Sequence, residues 1–454
     1  MLVVFCLCWQ GCATRTRTLR IEATPLAEPS SQPHPMALDH FIRASILDQQ
    51  GEITKAIGEY RRALQYDSAA STIYLALAED YLMLQLYDDA MLQLVAGFQI
   101  DSTHVEIQEL LCDLLLQFGN ADSAQYFAER LVQMKPEEAQ YLANLAEIQM
   151  KQGKTQEAIL NFKKILGNHP SDMNTLGQLS ALYIASKNYQ SALDYSLMMH
   201  NLDPENDRIC YTLAALLDEL GRTAEAEDFY LKATTLNPND PQYFINWAFL
   251  HINKNDHQRA IEILESAVKY HPNTVQIWSL LGNSYHQIEQ DDSAIEILLH
   301  AISLDSTQVS PYVTLGIIYD TRNEFEKAEE TYRKAIQLDP ENALLLNNYA
   351  YLLAQRKVRL NEALEMVERA LEKTPDSPYY LDTIGWIHFG MGDYTKAREF
   401  LEKALELDEP NAELLSHLGD VLYALGDVET ARQYWLRALE LDPENTNIRE
   451  KLAQ

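Results

Sequence analysis

One interval governs this chain. Alanine recurs at positions 56, 90, 124, 158, 192, 226, 260, 294 and 328, always 34 residues apart, and after one inserted residue the series resumes at 363, 397 and 431. A fixed period of this length describes one supersecondary unit stacked many times, each copy burying a face against the next. Twelve copies run from about Ala37 to Asn445.

Three further series share the period. Twelve residues before each alanine, or thirteen in the repeat with the insertion, stands a small residue: Ala44, Ala78, Cys112, Ala146, Ser180, Ala214, Ala248, Gly282, Gly316, Ala350, Gly385 and Gly419. Antiparallel helices approach closely only where facing side chains are small, so this series and the alanines predict a helix crossing inside each repeat. A third series, seven after the alanine, is Ala or Gly in nine repeats but Leu131, Ile165 and Met199 in the middle ones. It predicts the crossing with the next repeat, with altered local curvature where it is bulky. Pro follows twelve after the alanine in eight repeats, where it ends the second helix. Gly51, Gly119, Gly153, Gly221, Gly392 and Gly426, with Asn255 and Asn323, occupy one site between the helices, where a left-handed residue closes the first.

These residues resemble the tetratricopeptide-repeat (TPR) family, over about nine-tenths of the chain. The clearest copies are GIIYDTRNEFEKAEETYRKAIQLDP from Gly316 and GWIHFGMGDYTKAREFLEKALELD from Gly385. The resemblance implies an all-α, right-handed superhelical solenoid of helix-turn-helix units over residues 37–445. Residues 446–454 read as a capping helix. The first repeat is worn, with His40 and Arg43 at normally apolar sites.

Composition narrows the function. The net charge is -31, and because residues 1–36 carry three Arg and two Glu, the remainder carries -32. Such a surface repels phosphate backbones, which argues against nucleic acid and for basic protein partners. The sequence contains no GxxxxGK, HExxH or GxSxG, no GxGxxG after a strand and no Cys/His spacing that suits zinc, so no enzyme, cofactor or metal site is expected.

Residues 1–12 form a signal-like segment. Leu2 to Trp9 is an apolar run too short to span a bilayer but long enough for the core of a signal peptide. Gly11-Cys12 after it resembles the lipobox of bacterial lipoproteins, which implies lipidation of Cys12. Residues 13–36, rich in Thr, Pro, Ser and Arg, read as a flexible tether. No Lys or Arg precedes the apolar run and three Arg follow it, the reverse of an export signal. A misplaced start codon and a cytosolic protein with an apolar start therefore both stay open. With Ala13 after Cys12, the resemblance implies an outer-membrane location facing the periplasm.

TPR arrays bind through the face lined by first helices. The second, fifth, ninth, twelfth and thirteenth positions share that face. In repeats two to twelve they hold Glu79, Glu106, Glu109, Asp113, Glu147, Asp218, Glu219, Asp320, Asp382, Glu413 and Asp420, opposed only by Lys151 and Arg208. The last three repeats add Tyr351, Tyr379, Trp386, Phe389 and Tyr423, with Asn347 beside them. Asn347, Tyr351, Tyr379, Asp382, Trp386, Phe389, Asp420 and Tyr423 are the predicted partner-binding groove, because aromatic side chains anchor interfaces.

The end of the array carries a narrower resemblance. YLDTIGWIHFGMGDYTKA, HLGDVLYALGDVETARQYWLRALELDPEN and the 35-residue repeat containing NNYAYLLAQRKVRLNEALEMVERAL resemble the C-terminal part of large bacterial TPR lipoproteins. Some members are outer-membrane adaptors that recruit a carboxyl-terminal processing protease and deliver cell-wall hydrolases to it. The resemblance implies a lipid-anchored scaffold with such partners. A cytosolic or secretion-machinery scaffold and a self-associating array are the alternatives.

Overall fold

Every repeat builds the same pair of helices because the same small residues recur at the same crossing. The computed structural model describes residues 34–407 and 411–453 in full. It adds the backbone of two short strands, Val3–Cys6 and Thr18–Ile21, paired antiparallel with Val3 opposite Ile21. Cys12 and most of the segment read as a tether lie outside the described residues. Twenty-five helices follow among the described residues: twelve pairs and a final single helix, Thr446–Ala453. The chain divides into two units. Residues 1–205 hold repeats one to five, and residues 206–454 hold repeats six to twelve with the final helix.

The crossing inside a repeat is a fit between one small and one larger residue. A Cβ added to Gly316 would lie 2.5 Å from the Tyr332 ring; on Gly419 it would meet Trp435 at 2.5 Å, on Gly282 Leu298 at 2.6 Å, and on Gly385 Leu401 at 2.8 Å. Repeat five makes the crossing polar: the Ser180 and Ser196 hydroxyls hydrogen-bond at 2.8 Å, both buried. The third small series marks the contact between repeats. A Cβ on Gly97, in the second helix of repeat two, would lie 2.8 Å from Ile107 in the first helix of repeat three. Where the series turns bulky, Leu131 and Ile165 are simply buried.

The turn between helices is left-handed in all twelve repeats. Six glycines, Asn255 and Asn323 adopt positive φ, and so do Gln85, Lys187, Glu289 and Lys357 at the same site. Non-glycine residues carry a cost there, which tertiary packing overrides. The inserted residue of repeat ten forces a second left-handed residue, Arg359, whose guanidinium reaches Glu329 at 2.7 Å and the Tyr349 hydroxyl at 3.1 Å.

Where the residue after the second helix is described, it has left the helical region, with φ between -126° and -151° and ψ between 56° and 102°. Before Pro this follows from the clash of the ring with the preceding backbone. Four repeats lack the Pro, and of these one, two and eight turn by an Asp-Ser pair: Asp67 accepts from the Ala69 amide at 3.1 Å, Asp101 from Thr103 at 2.9 Å and Asp305 from Thr307 at 2.9 Å. Among the described residues no helix is long and apolar enough to cross a membrane.

Candidate functional site

The eight groove residues of the last three repeats lie on three first helices, Ala343–Gln355, Pro378–Met391 and Ala412–Ala424. Trp386 is the centre of a stack. Its ring lies 4.0 Å from His417 with 17° between planes, and 4.7 Å from Phe389 with 12°. His417 Nδ1 meets Asp382 Oδ1 at 2.8 Å. Burial works against a charged imidazole here, but Asp382, Glu413 and Asp420 outweigh it and push His417 above its ordinary value. A cation against an indole face adds a further attraction.

Glu413 is where the inner faces of repeats nine to twelve meet. It accepts a hydrogen bond from the Tyr351 hydroxyl, two repeats earlier. Burial and that carboxylate together drive the Tyr351 phenol up. Burial, with Glu413 adding to it, raises Asp320 of repeat nine to about 6. Asp420 accepts from Lys451 Nζ at 2.7 Å and from Trp435 Nε1 at 3.0 Å, and the same ammonium reaches Ser416 Oγ at 3.0 Å. Tyr351, Trp386, Glu413, His417, Asp420 and Lys451 line a pocket of about 500 Å³.

Three of the eight predicted residues, Tyr351, Trp386 and Asp420, therefore share one pocket. Asp382 and Phe389 support it through His417 and Trp386. Asn347 is buried, with Oδ1 unpartnered, and presents no groove surface. Tyr379 and Tyr423 are 64% and 47% exposed and are not among the lining residues.

The first unit shows the opposite electrostatics. Asp48, Glu79, Asp80, Glu106, Glu109 and Asp113 lie on the first helices of repeats one to three. None forms an ion pair with a Lys or Arg among the described residues; Glu106 meets only His104, at 3.1 Å. Burial, then Asp48 and Glu106, raise Glu79. Burial and Glu109 raise Asp113. Glu109 accepts from the Tyr141 hydroxyl at 2.5 Å, and that phenol is pushed up to about 12 by burial and the carboxylate. Asp80 is 1% exposed, and its Oδ2 has no hydrogen-bond partner. In the second unit Asp218 is raised by burial, with Lys254 acting against it.

Models of the tetratricopeptide repeat match residues 43–102, 110–172, 207–240, 246–308, 310–342, 341–409 and 388–454. This chain belongs to the tetratricopeptide-repeat family. A TPR repeat-containing protein of Pseudomonas aeruginosa is 40% identical over 62 residues, 14% of this chain and 10% of that protein. The BBSome complex member BBS4 of Bos taurus is 25% identical over 257 residues, 54% of this chain and 50% of that protein. The chain thus spans half or less of the curated relatives it matches. Among solved structures, an APC/C Cut9-Hcn1 assembly covers 92% of this chain and 96% of its own at 13% identity and a TM-score of 0.47. A tetratricopeptide repeat protein from Parabacteroides merdae covers 54% of this chain and 97% of its own at 17% identity and a TM-score of 0.45.

The tetratricopeptide register also shows what the sequence reading passed over. His417 sits at the sixth position of its helix, outside the set counted as groove-lining, yet it holds the stack. Lys451 comes from the final helix, beyond the repeats. Asp80 sits at the tenth position, where repeats three to seven carry Leu114, Ile148, Leu182, Leu216 and Leu250. A carboxylate in an aliphatic series was the available signal. Among the described residues no cluster of His, Cys, Asp or Glu could hold a metal ion. Cys112 is buried, and burial drives its thiol up to about 12.

Proposed function

We propose that this protein is a non-catalytic scaffold whose first-helix faces hold a basic segment of a partner protein. The observation that carries this reading is the pocket of repeats ten to twelve. There Glu413, which meets the Tyr351 hydroxyl and no Lys or Arg among the described residues, stands beside Tyr351 and Trp386, which suits a cationic side chain flanked by aromatic rings. Acidic lining attracts such a segment, and binding weakens in salt.

The scaffold is lipid-anchored through Cys12 at the outer membrane, facing the periplasm, and its partners are a carboxyl-terminal processing protease or the cell-wall hydrolases delivered to it. The Gly11-Cys12 pair and the resemblance of the last three repeats support this reading. Anchoring raises the effective concentration of one partner near another. The test is a crosslinked pull-down of the tagged full-length protein from its native cells, in parallel with Cys12→Ser and Trp386→Ala. A periplasmic protease or hydrolase recovered with the parent and lost with Trp386→Ala is the expected result. Recovery of cytosolic proteins alone would overturn the envelope assignment, and recovery of only further copies of this chain would favour a self-associating array.

A further inference from the structure

The final helix, Thr446–Ala453, places a cation of this chain in the pocket of repeats ten to twelve. Lys451 is the one Lys or Arg among the described residues that line it. Its ammonium donates to Asp420 Oδ2 at 2.7 Å and to Ser416 Oγ at 3.0 Å. Asp420 Oδ1 accepts from Trp435 Nε1 at 3.0 Å, so both oxygens of that carboxylate are taken within the chain. Lys451 and Asp420 are only 20% and 15% exposed, so the pair is seated rather than lying on the surface. A partner's cation reaches Asp420 only if Lys451 leaves it.

The helix that carries Lys451 is lightly held. It buries one residue, Ile448, which joins the core cluster of Trp435 and Ala438, with Leu452 packed beside it. The first helix of repeat twelve, Ala412–Ala424, buries seven. Its other polar ties include the Ile448 amide to Asn445 Oδ1 at 3.1 Å and Arg432 to the Leu452 carbonyl at 2.9 Å. Eight residues are too few for a helix to persist without its packing. Elements with few buried contacts open at the low end of the stability range. Ile448 and Lys451 stand three residues apart, on one face of one helical turn.

We propose that this helix is a displaceable occupant of the pocket, and that the partner's basic segment binds by taking its seat. An apolar side chain of the partner replaces Ile448, and a lysine three residues later replaces Lys451 against Asp420 and Ser416. The proposal rests on the scaffold reading and deepens it: the recognised element is a helix with an apolar residue three before a lysine. Glu413, which meets the Tyr351 hydroxyl and no Lys or Arg among the described residues, receives a further cation of the incoming segment. That second pair, which the built-in helix does not make, favours the exchange. The seat is free only in the fraction of molecules whose helix is displaced, and the apparent affinity is lowered by that fraction.

The probe is a labelled Ala-rich helical peptide carrying Ile-Ala-Ala-Lys and further Lys residues, titrated into the full chain by fluorescence anisotropy. Lys451→Met keeps the aliphatic stem, removes the ammonium and is expected to bind the peptide about tenfold tighter than the parent. Lys403→Met removes the same charge from an exposed second-helix site and is expected to stay within about twofold of the parent. In an Asp420→Asn background the gain from Lys451→Met is expected to vanish. Hydrogen exchange of the parent under saturating peptide is expected to quicken at the amides of residues 446–453. Equal gains from Lys451→Met and Lys403→Met would mean attraction to net charge alone and overturn the proposal, as would a gain that survives Asp420→Asn. Amides of 446–453 that gain protection in the complex would mean the helix stays in place, and would overturn it on the parent without any variant. Unchanged affinity in Lys451→Met together with loss in Glu413→Gln would overturn the exchange while upholding the scaffold pocket. Binding by no variant would overturn the exchange, with the scaffold reading still decided by the pull-down.

Discussion

Repeats one and two and repeats ten to twelve place acids on equivalent faces and treat them in opposite ways. In the last repeats each acid has a partner within the chain: Asp382 has His417, Asp420 has Lys451 and Trp435, and Glu413 has Tyr351. In the first two repeats Asp48, Glu79 and Asp80 meet no Lys or Arg among the described residues, and burial, with Asp48 adding to it, raises both Glu79 and Asp80. The same residue type at the same register is therefore a finished structural contact at one end and an unsatisfied charge at the other. Acid counts alone do not separate the two. What decides is whether a neighbouring repeat supplies a cation or a hydroxyl.

The sharpest way to test this contrast is to remove the centre of the finished cluster. Trp386→Ala is expected to cost about 3 kcal/mol in urea unfolding followed by a probe in the second unit, because it strips the cover from His417 as well as its own packing. A cost below about 1 kcal/mol would mean the stack is surface decoration. The shared frame should respond alike at both ends. Ala56→Leu and Ala328→Leu each overpack a crossing and are each expected to cost about 2 kcal/mol. Clearly unequal costs would show that the two regions differ in packing and not only in their polar layer.

Protonation distinguishes the regions further. Asp80 is raised in the folded state, so the stability it permits is complete below the ordinary carboxylate range and is lost as pH rises from about 4 to about 7. His417 is raised too, so its contribution is complete below the ordinary imidazole value of about 6.5 and is lost only above it. Asp80→Leu is therefore expected to gain about 1–2 kcal/mol at about pH 8 and almost nothing at about pH 4, and His417→Gln to cost more at about pH 6 than at about pH 9. Thermal unfolding of both variants across pH tests the two windows; a single shared window would erase the distinction. The smallest effect belongs to the exposed member of the first cluster. Glu79→Gln is expected to stabilise by a few tenths of a kcal/mol in dilute buffer and by nothing in about 1 M salt, where charges more than about 3 Å apart are screened.

The fold was legible because a repeat states its packing rule many times over. Gly316, Gly385 and Gly419 could be read as crossing residues from spacing alone, and the structure sets Tyr332, Leu401 and Trp435 against them. The left-handed turns were legible at glycine and asparagine but not at Gln85, Lys187, Glu289 and Lys357, where packing of the flanking helices imposes a conformation those residues do not favour by themselves. The Asp-Ser turns that stand in for Pro needed hydrogen bonds to be seen.

The candidate site was legible in outline only. Period and helical geometry put Tyr351, Trp386 and Asp420 on one face, and that placement needed nothing beyond 3.6 residues per turn. Which of the predicted residues share a pocket depends on how first helices of successive repeats approach, and that is a tertiary quantity. It sinks Asn347 into the core, leaves Tyr379 and Tyr423 outside, and recruits His417 and Lys451, whose positions carry no groove signature. The sequence by itself determined the repeat, the crossing residues and the acidic faces, because each depends on local spacing. Only the tertiary structure decided which acids are neutralised, because a charge is paired or left alone by what the neighbouring repeat brings within a few ångströms of it.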